Sequence, residues 1–303
     1  MEPAVDEATS GGGGAAAVTA TTAPPPPAAV VDSSGDERGD DAEVDDGVDY
    51  VTVTPERREM LHEFVAWLGA PGTRSSVHFA PSTPHALLFL RGSKWRMERA
   101  KAKWETFAAL HDELGPCDIA AVAPFVSTGA QLLVRDAVDK RGRQMLYVVL
   151  ENMDHELDAA PLVRARAILY ALKHLCVDNE AAQAHGVVGV LDLGNATFTI
   201  NRQAMREASP IFDAFPLRLR KMYVVNSPWW FHLFYSAASL VMPARMVARI
   251  TPLSSLDELH ALVDKRHLPK RFGGELDYDA ATFVAARRAE DKAAAPPAKR
   301  MSS

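Results

Sequence analysis

The sequence predicts an α/β protein: a helical N-terminal lobe, then a mostly parallel sheet with helices on its faces. Three observations predict it. Between residues 54 and 116 the apolar residues recur at helical spacing. After residue 116 the period changes, and short apolar runs alternate with helix-length segments, the strand–helix–strand order of a parallel sheet. One of those runs, GVVGVLDLGN at 186–195, is apolar on both faces, as a central parallel strand must be.

The elements follow in order. Residues 1–49, with GGGGAAA, APPPPAA and SSGDERGDDAEVDDG, cannot bury enough apolar surface to offset the entropy of ordering and are expected to form a disordered acidic tail. Thr54 is a candidate N-cap with Pro55 at the first helical position, and Met60, Leu61, Phe64, Val65 and Leu68 line one face before Gly69 ends the helix. HALLFLRGSKW and RMERAKAKWETFAALHDELG give two more helices, closed by Gly115 and Pro116, so 50–116 reads as the helical lobe. RQMLYVVLEN (143–152) reads as a strand opened by the turn DKRGR. A helix is expected over 160–183, the central strand over 186–195, and a helix over 201–215 with Asn201 as its N-cap. KMYVVNS and VARITPL read as further strands and SLDELHALVD as a last helix, giving a second domain over 117–280 and a charged tail over 281–303.

The totals narrow the function classes. The chain has 303 residues, 48% hydrophobic and 24% charged, which is ordinary for one or two globular domains. No apolar run reaches the roughly 20 residues that span a bilayer. The N-terminus lacks a basic start followed by an apolar core, so a cytoplasmic protein is expected. Cys117 and Cys176 form no close-spaced pair and suit small buried hydrophobes in a reducing compartment. The net charge of −6 is unevenly placed: residues 1–49 hold twelve acids against Arg38 alone, so removing that −11 leaves +5 on the remainder. A basic body favours anionic surfaces.

Enzyme signatures are missing. There is no Gly-x-Ser-x-Gly elbow, no phosphate loop ending in Lys-Ser or Lys-Thr, and no zinc-type histidine pair. No cofactor or metal is expected. Asp192, inside the central strand, is read as an acid hydrogen-bonded to backbone donors; His111 and His174 as surface or hydrogen-bonded side chains; Asp257 and Glu258 as acids suited to a helix N-terminus. What stands out is FPLRLRKMYVVNSPWWFHLFYSAASLVMPARM, 215–246. Arg218, Arg220 and Lys221 precede a strand, and from Trp229 to Met242 there is no Lys, Arg, Asp or Glu. A helix apolar all round must be buried all round or face something other than water. Aromatic residues beside bases suit a membrane surface, provided a short strand keeps the two close.

Five motifs in order carry a resemblance. LLFLRGSKWRMERAKAKW, DKRGRQMLYV, GVLDLGN, FPLRLRKMYVVNSPWWFHLFYS and HLPKRFGGEL are similar to the successive signatures of the CRAL-TRIO (Sec14-like) lipid-binding proteins, nearest the tocopherol- and retinal-transfer members. The resemblance covers residues 84 to 276 and implies an α/β/α sandwich whose sheet floors an apolar cavity under a gate helix. It implies non-enzymatic binding and intermembrane transfer of a lipid by a monomer that docks transiently on membranes, with no nucleic acid. The ligand classes are tocopherol, retinoid, sterol and phospholipid. The pocket would be lined by Tyr147, Val149, Leu191, Leu193, Phe198, Val225, Phe231 and Phe234. Trp229, Trp230, Leu240, Val241 and Met242 would form the gate and membrane contact, and Arg218, Arg220 and Lys221 would meet an anionic headgroup. Two of the four bases that grip a phosphoinositide in the tocopherol-transfer pattern fall on Leu88 and Ser239, and an acid, Asp257, stands near the lysine of the phosphatidylinositol binders. The alternative is an interaction module that kept the fold and lost the cavity.

Overall fold

The computed structural model describes residues 48–154, 156–157, 160–195, 202–229, 231, 235 and 247–294. Helix α1 (Pro55–Leu68) starts where Thr54 Oγ1 accepts from the Arg57 N–H and Pro55 supplies a preset φ. Helices α2 (Thr83–Gly92), α3 (Met97–Leu114) and α4 (Ile119–Val126) complete the N-terminal lobe. Of these, α4 is an addition to the sequence reading. Asp118 caps it by accepting from the Ala121 N–H, and its apolar residues bury against the lobe. Gly92 holds α2 against Pro216, because a Cβ there would lie 2.4 Å from Pro216 Cβ.

The five-stranded sheet has the order β1 (Gln131–Leu132), β2 (Gln144–Val149), β3 (Val187–Asp192), β4 (Leu219–Val225), β5 (Ile250–Pro252). Strands β2 to β5 are parallel, and β1 is an antiparallel edge. Neighbours in sequence are neighbours in the sheet, so right-handed crossovers must all pass over one face. The first crossover carries α5 (Val163–Cys176) and α6 (Glu180–His185), the second α7 (Arg202–Ala214). These helices pack with the N-terminal lobe into one core holding Phe64, Trp104, Phe107, Leu169, Leu172 and Phe215. The helix expected over 160–183 is two helices: Asp178 takes a left-handed φ of 56° and Asn179 caps α6 by accepting from the Ala182 N–H. The expected N-cap Asn201 lies outside the described residues.

The opposite face is closed by the segment after β5. Helix α8 (Leu256–Leu262) and the turns after it bring Leu259, Val263, Leu268 and Phe272 onto Met145, Tyr147, Val188, Val190, Tyr223 and Val225. Two glycines make this return possible. Gly273 has φ 73°, and a Cβ on Gly274 would sit 1.9 Å from Leu268 O. The tail expected over 281–303 is instead helical as far as Ala294: α9 (Ala280–Ala294) packs Phe283 and Val284 on the helical core. Cys117 and Cys176 are buried free thiols, and burial pushes Cys176 up to about 12.

Candidate functional site

The registry of the sheet decides which residues share a face. Tyr147 pairs with Val190 and Val190 with Tyr223; one step on, Val148 pairs with Leu191 and Leu191 with Val224. Side chains alternate along each strand. The five strand residues expected to floor one pocket therefore divide. Tyr147, Val149 and Val225 lie on the face sealed by α8 and its following turns, where Tyr147 stacks on Phe272 and its hydroxyl donates to His267 O at 2.6 Å. That is a correction: they are filled core. Leu191 and Leu193 lie on the crossover face, in a separate cluster with Val224, Phe231, Tyr235, Ile250 and Leu150. On this face β2 alternates half-buried residues, Leu146 and Val148, with the fully buried Tyr147 and Val149 of the sealed face. At its centre is Gly189, where a Cβ would meet Met222 Sδ at 2.4 Å, so the methionine lies directly across the strand.

The aromatic segment opens the crossover from β4 to β5. The Phe231 N–H donates to Pro228 O, and Trp229, Phe231 and Tyr235 are helical. Phe231 is 8% exposed and stacks on Tyr235, whose hydroxyl donates to Val247 O and Ile250 O at 3.0 and 3.1 Å. Trp229 points the other way and is 84% exposed. Phe198, Trp230, Phe234, Ser239, Leu240, Val241 and Met242 lie outside the described residues.

The bases are elsewhere. Strand β4 has seven residues, about 20 Å of extended chain, and separates Arg218 from Trp229. The short strand that would have brought them together is not short, so aromatic and basic groups occupy opposite ends of β4. Arg218 donates from Nη1 to Gln183 O and Ala184 O, the last carbonyls of α6, and Arg220 from Nε to His185 O. Gly186, with φ 89°, leaves the room that Arg220 fills: a Cβ there would be 2.9 Å from Arg220 Cγ. Lys221 donates to Ala248 O at the approach to β5, away from this pair. Leu88 is buried in the helical core, and Asp257 is an exposed first-turn acid of α8.

Arg218 and Arg220 line a cleft of about 250 Å³ together with Arg141, His185, Asp49 and Tyr50. The turn that carries Arg141 is rigid. Arg143 is paired in the interior with Asp139, whose Oδ1 also accepts from the Arg141 and Arg143 N–H groups. Tyr50 closes the cleft, its ring centroid 3.3 Å from the Arg218 guanidinium carbon and 5.8 Å from that of Arg220. Thr52, through its N–H and its hydroxyl, and then the Val51 N–H hold the Asp49 carboxyl down to about 2.

Asp192 is fully buried at the other end of β3. It accepts from the Gly194 N–H and Asn226 Nδ2, both at 2.9 Å, and from Arg271 Nε at 2.5 Å. Arg271 continues to Glu151, which also accepts from Asn195; these two partners hold its carboxyl below the usual range. The acid therefore fastens three chain segments. Backbone donors are only part of its set: sequence reading missed Arg271, which is 79 positions away. His111 is likewise interior, its Nδ1 3.3 Å from Ser76 Oγ and its Nε2 3.1 Å from Lys173 Nζ, and His174 packs between Tyr170 and Phe283. Among the described residues no group of three or more His, Cys, Asp or Glu could hold a metal ion, and no helix is long and apolar enough to cross a membrane.

Residues 130–274 match the CRAL/TRIO domain. The chain is 30% identical to Clavesin-1 of Rattus norvegicus over 156 residues, 48% of this chain and 43% of that protein. It is 31% identical to Clavesin-2 of Homo sapiens over 154 residues, 48% of this chain and 46% of that one. The match thus spans less than half the length of these relatives. The crystal structure of Sfh5 aligns at a TM-score of 0.49 and 14% identity, over 77% of this chain and 93% of that one.

Proposed function

We propose, from the premise that residues 130–274 of this chain are a CRAL/TRIO domain, that the protein binds a hydrophobic lipid on the crossover face of its sheet and carries it between membranes. One observation supports this most: the two faces of the sheet are unequal. One is sealed by Leu259, Val263, Leu268 and Phe272. The other presents half-buried Leu191, Met222 and Ile250, with Phe231 of the aromatic segment packed beside this surface. Apolar side chains left half-buried on a sheet are stabilised by a further apolar body, at about 25 cal/mol per Å² removed from water. Trp229, at the start of the segment, is the group that would touch a bilayer. The protein works without chemistry on the ligand, as a peripheral carrier, and tocopherol, retinoid, sterol and phospholipid all suit such a surface.

The test is extraction and mass spectrometry of lipid that co-purifies with the whole chain. One lipid class near stoichiometric amount is expected, and Leu191→Trp should expel it while the melting temperature is kept. A folded protein that never carries lipid, and does not extract it from vesicles, would make the fold an interaction module instead.

A further inference from the structure

On the crossover face the sheet register sets Leu146, Gly189, Met222 and Ile250 in one row across β2 to β5. All but Gly189 carry long apolar side chains, so the row has a notch at the glycine. We infer that this notch is a subsite for the end of a single hydrocarbon chain, and that the Met222 side chain is its displaceable plug. The hydrocarbon occupant rests on the lipid binding proposed above; the notch and its plug do not.

Four observations carry the inference. First, the thioether end of Met222 fills the notch by itself. A Cβ on Gly189 would lie 2.4 Å from Met222 Sδ and 2.6 Å from its Cε, and the next nearest atom among the described residues is Leu146 O at 3.9 Å. Second, the plug is of a movable kind. Gly92 and Gly274 are approached as tightly, but by the ring carbon of Pro216 and the backbone of Leu268, which are fixed. At Gly189 the neighbour is the far end of an unbranched, flexible side chain. Third, Gly189 is buried while Met222 above it is half-buried, so the plug covers the notch and has an open side toward which to swing. Fourth, the surround is hydrocarbon: Leu146, Val148, Leu191 and Ile250 are half-buried on the same face. An apolar surround favours a hydrocarbon end over a polar headgroup. Adjacent strands lie about 4.8 Å to either side, so the notch admits one chain end and not a fused ring system.

The experiment uses the whole chain, stripped of lipid, as the parent, Met222→Ala, Gly189→Ala and the double variant. Melting temperature reads the notch and plug without any ligand. Gly189→Ala should change it by only a degree or two, because the methionine end swings away from the new methyl group. Met222→Ala should lower it, and adding Gly189→Ala should recover part of the loss by filling the same space. Calorimetric titration with decanol, dodecanol, tetradecanol, hexadecanol and octadecanol reads the subsite. Met222→Ala removes Cγ, Sδ and Cε, so the alcohol bound best should be about three carbons longer, and each methylene group newly placed in the notch should tighten binding by about fourfold. The double variant should lose that gain, and cholesterol should gain nothing from Met222→Ala. A large fall in melting temperature for Gly189→Ala overturns the movable plug. No recovery in the double variant overturns the shared notch. An unchanged order of alcohols in Met222→Ala overturns the chain-end subsite, and an equal gain for cholesterol overturns the chemical class assigned to it. Failure of the proposed function looks different: no alcohol binds the parent or any variant, which overturns the hydrocarbon occupant with it, while the melting temperatures still decide the notch and plug.

Discussion

Replacing Trp229 by alanine separates membrane contact from folding. An indole side chain has about 250 Å² to bury, and 84% of it is free here. Immersing half of that free surface removes on the order of 100 Å² from water, worth about 2.6 kcal/mol at about 25 cal/mol/Å². Trp229→Ala should therefore lower partitioning onto phosphatidylcholine vesicles by roughly 80-fold. Since Trp229 touches little of the folded body, the melting temperature should stay within about a degree or two of the parent. Phe231→Ala, two residues on, should do the reverse. It is 8% exposed in the cluster with Leu193 and Val224, and its loss should cost about 3 kcal/mol of stability. Flotation with fluorescent vesicles and differential scanning calorimetry on the same samples read both quantities. If Trp229→Ala melts far lower while the folded fraction binds vesicles as before, the tryptophan is a packing residue and the bilayer contact lies elsewhere.

Three further outcomes are expected. Gly274→Val should sharply reduce soluble yield and melting temperature, because its Cβ would fall 1.9 Å from Leu268 O and force the closing turn off the sheet; an unchanged melt would show that the turn can move freely. Arg271→Met should destabilise by about 3 kcal/mol in urea titration by leaving the buried Asp192 charge unpaired, and adding Asp192→Asn should recover part of the loss; no recovery would mean that the arginine acts by packing alone. Burial, with the Lys173 charge adding to it, pushes His85 and His111 down from 6.5 to about 4. The unfolded chain then binds more protons between those values, so stability is complete above about 6.5 and falls as pH drops toward 4. His111→Gln should flatten that decline in melts between neutral pH and about pH 5, and an unaltered slope would assign the decline to other groups.

The order of elements was legible because each carries a local signal. The Thr54–Pro55 start needs no tertiary information, and neither does the doubly apolar run of β3. Which strand residues share a face was not. Tyr147 and Leu191 both belong to continuous apolar runs, yet the β2–β3 register puts them on opposite sides, and a slip of one residue would exchange them. The break before α6 could have been found, since Asn179 is a good cap, but the apolar period runs on through Leu175 and Cys176 and hides it. Helix α4 was missed because an almost wholly apolar octet with Pro124 has no period to read. The pairing of Arg218 and Arg220 with Tyr50 was out of reach for a different reason: the contact spans most of the chain, and Tyr50 sits at the border of a segment whose composition is that of a tail.

The core that joins the lobes bears on how this sequence could be recombined. Residues 130–274 are the recognisable stretch, but Phe64, Trp104 and Phe125 before it, and Val284 after it, belong to the same cluster as Leu169, Leu172 and Phe215 within it. Arg91, almost wholly buried, reaches from α2 to Glu180 of α6 and fastens the seam with charge. A cassette cut at the recognisable limits would expose the whole inner side of α5 and α7 to water. Shuffling between relatives should therefore carry residues 48–294 as one piece.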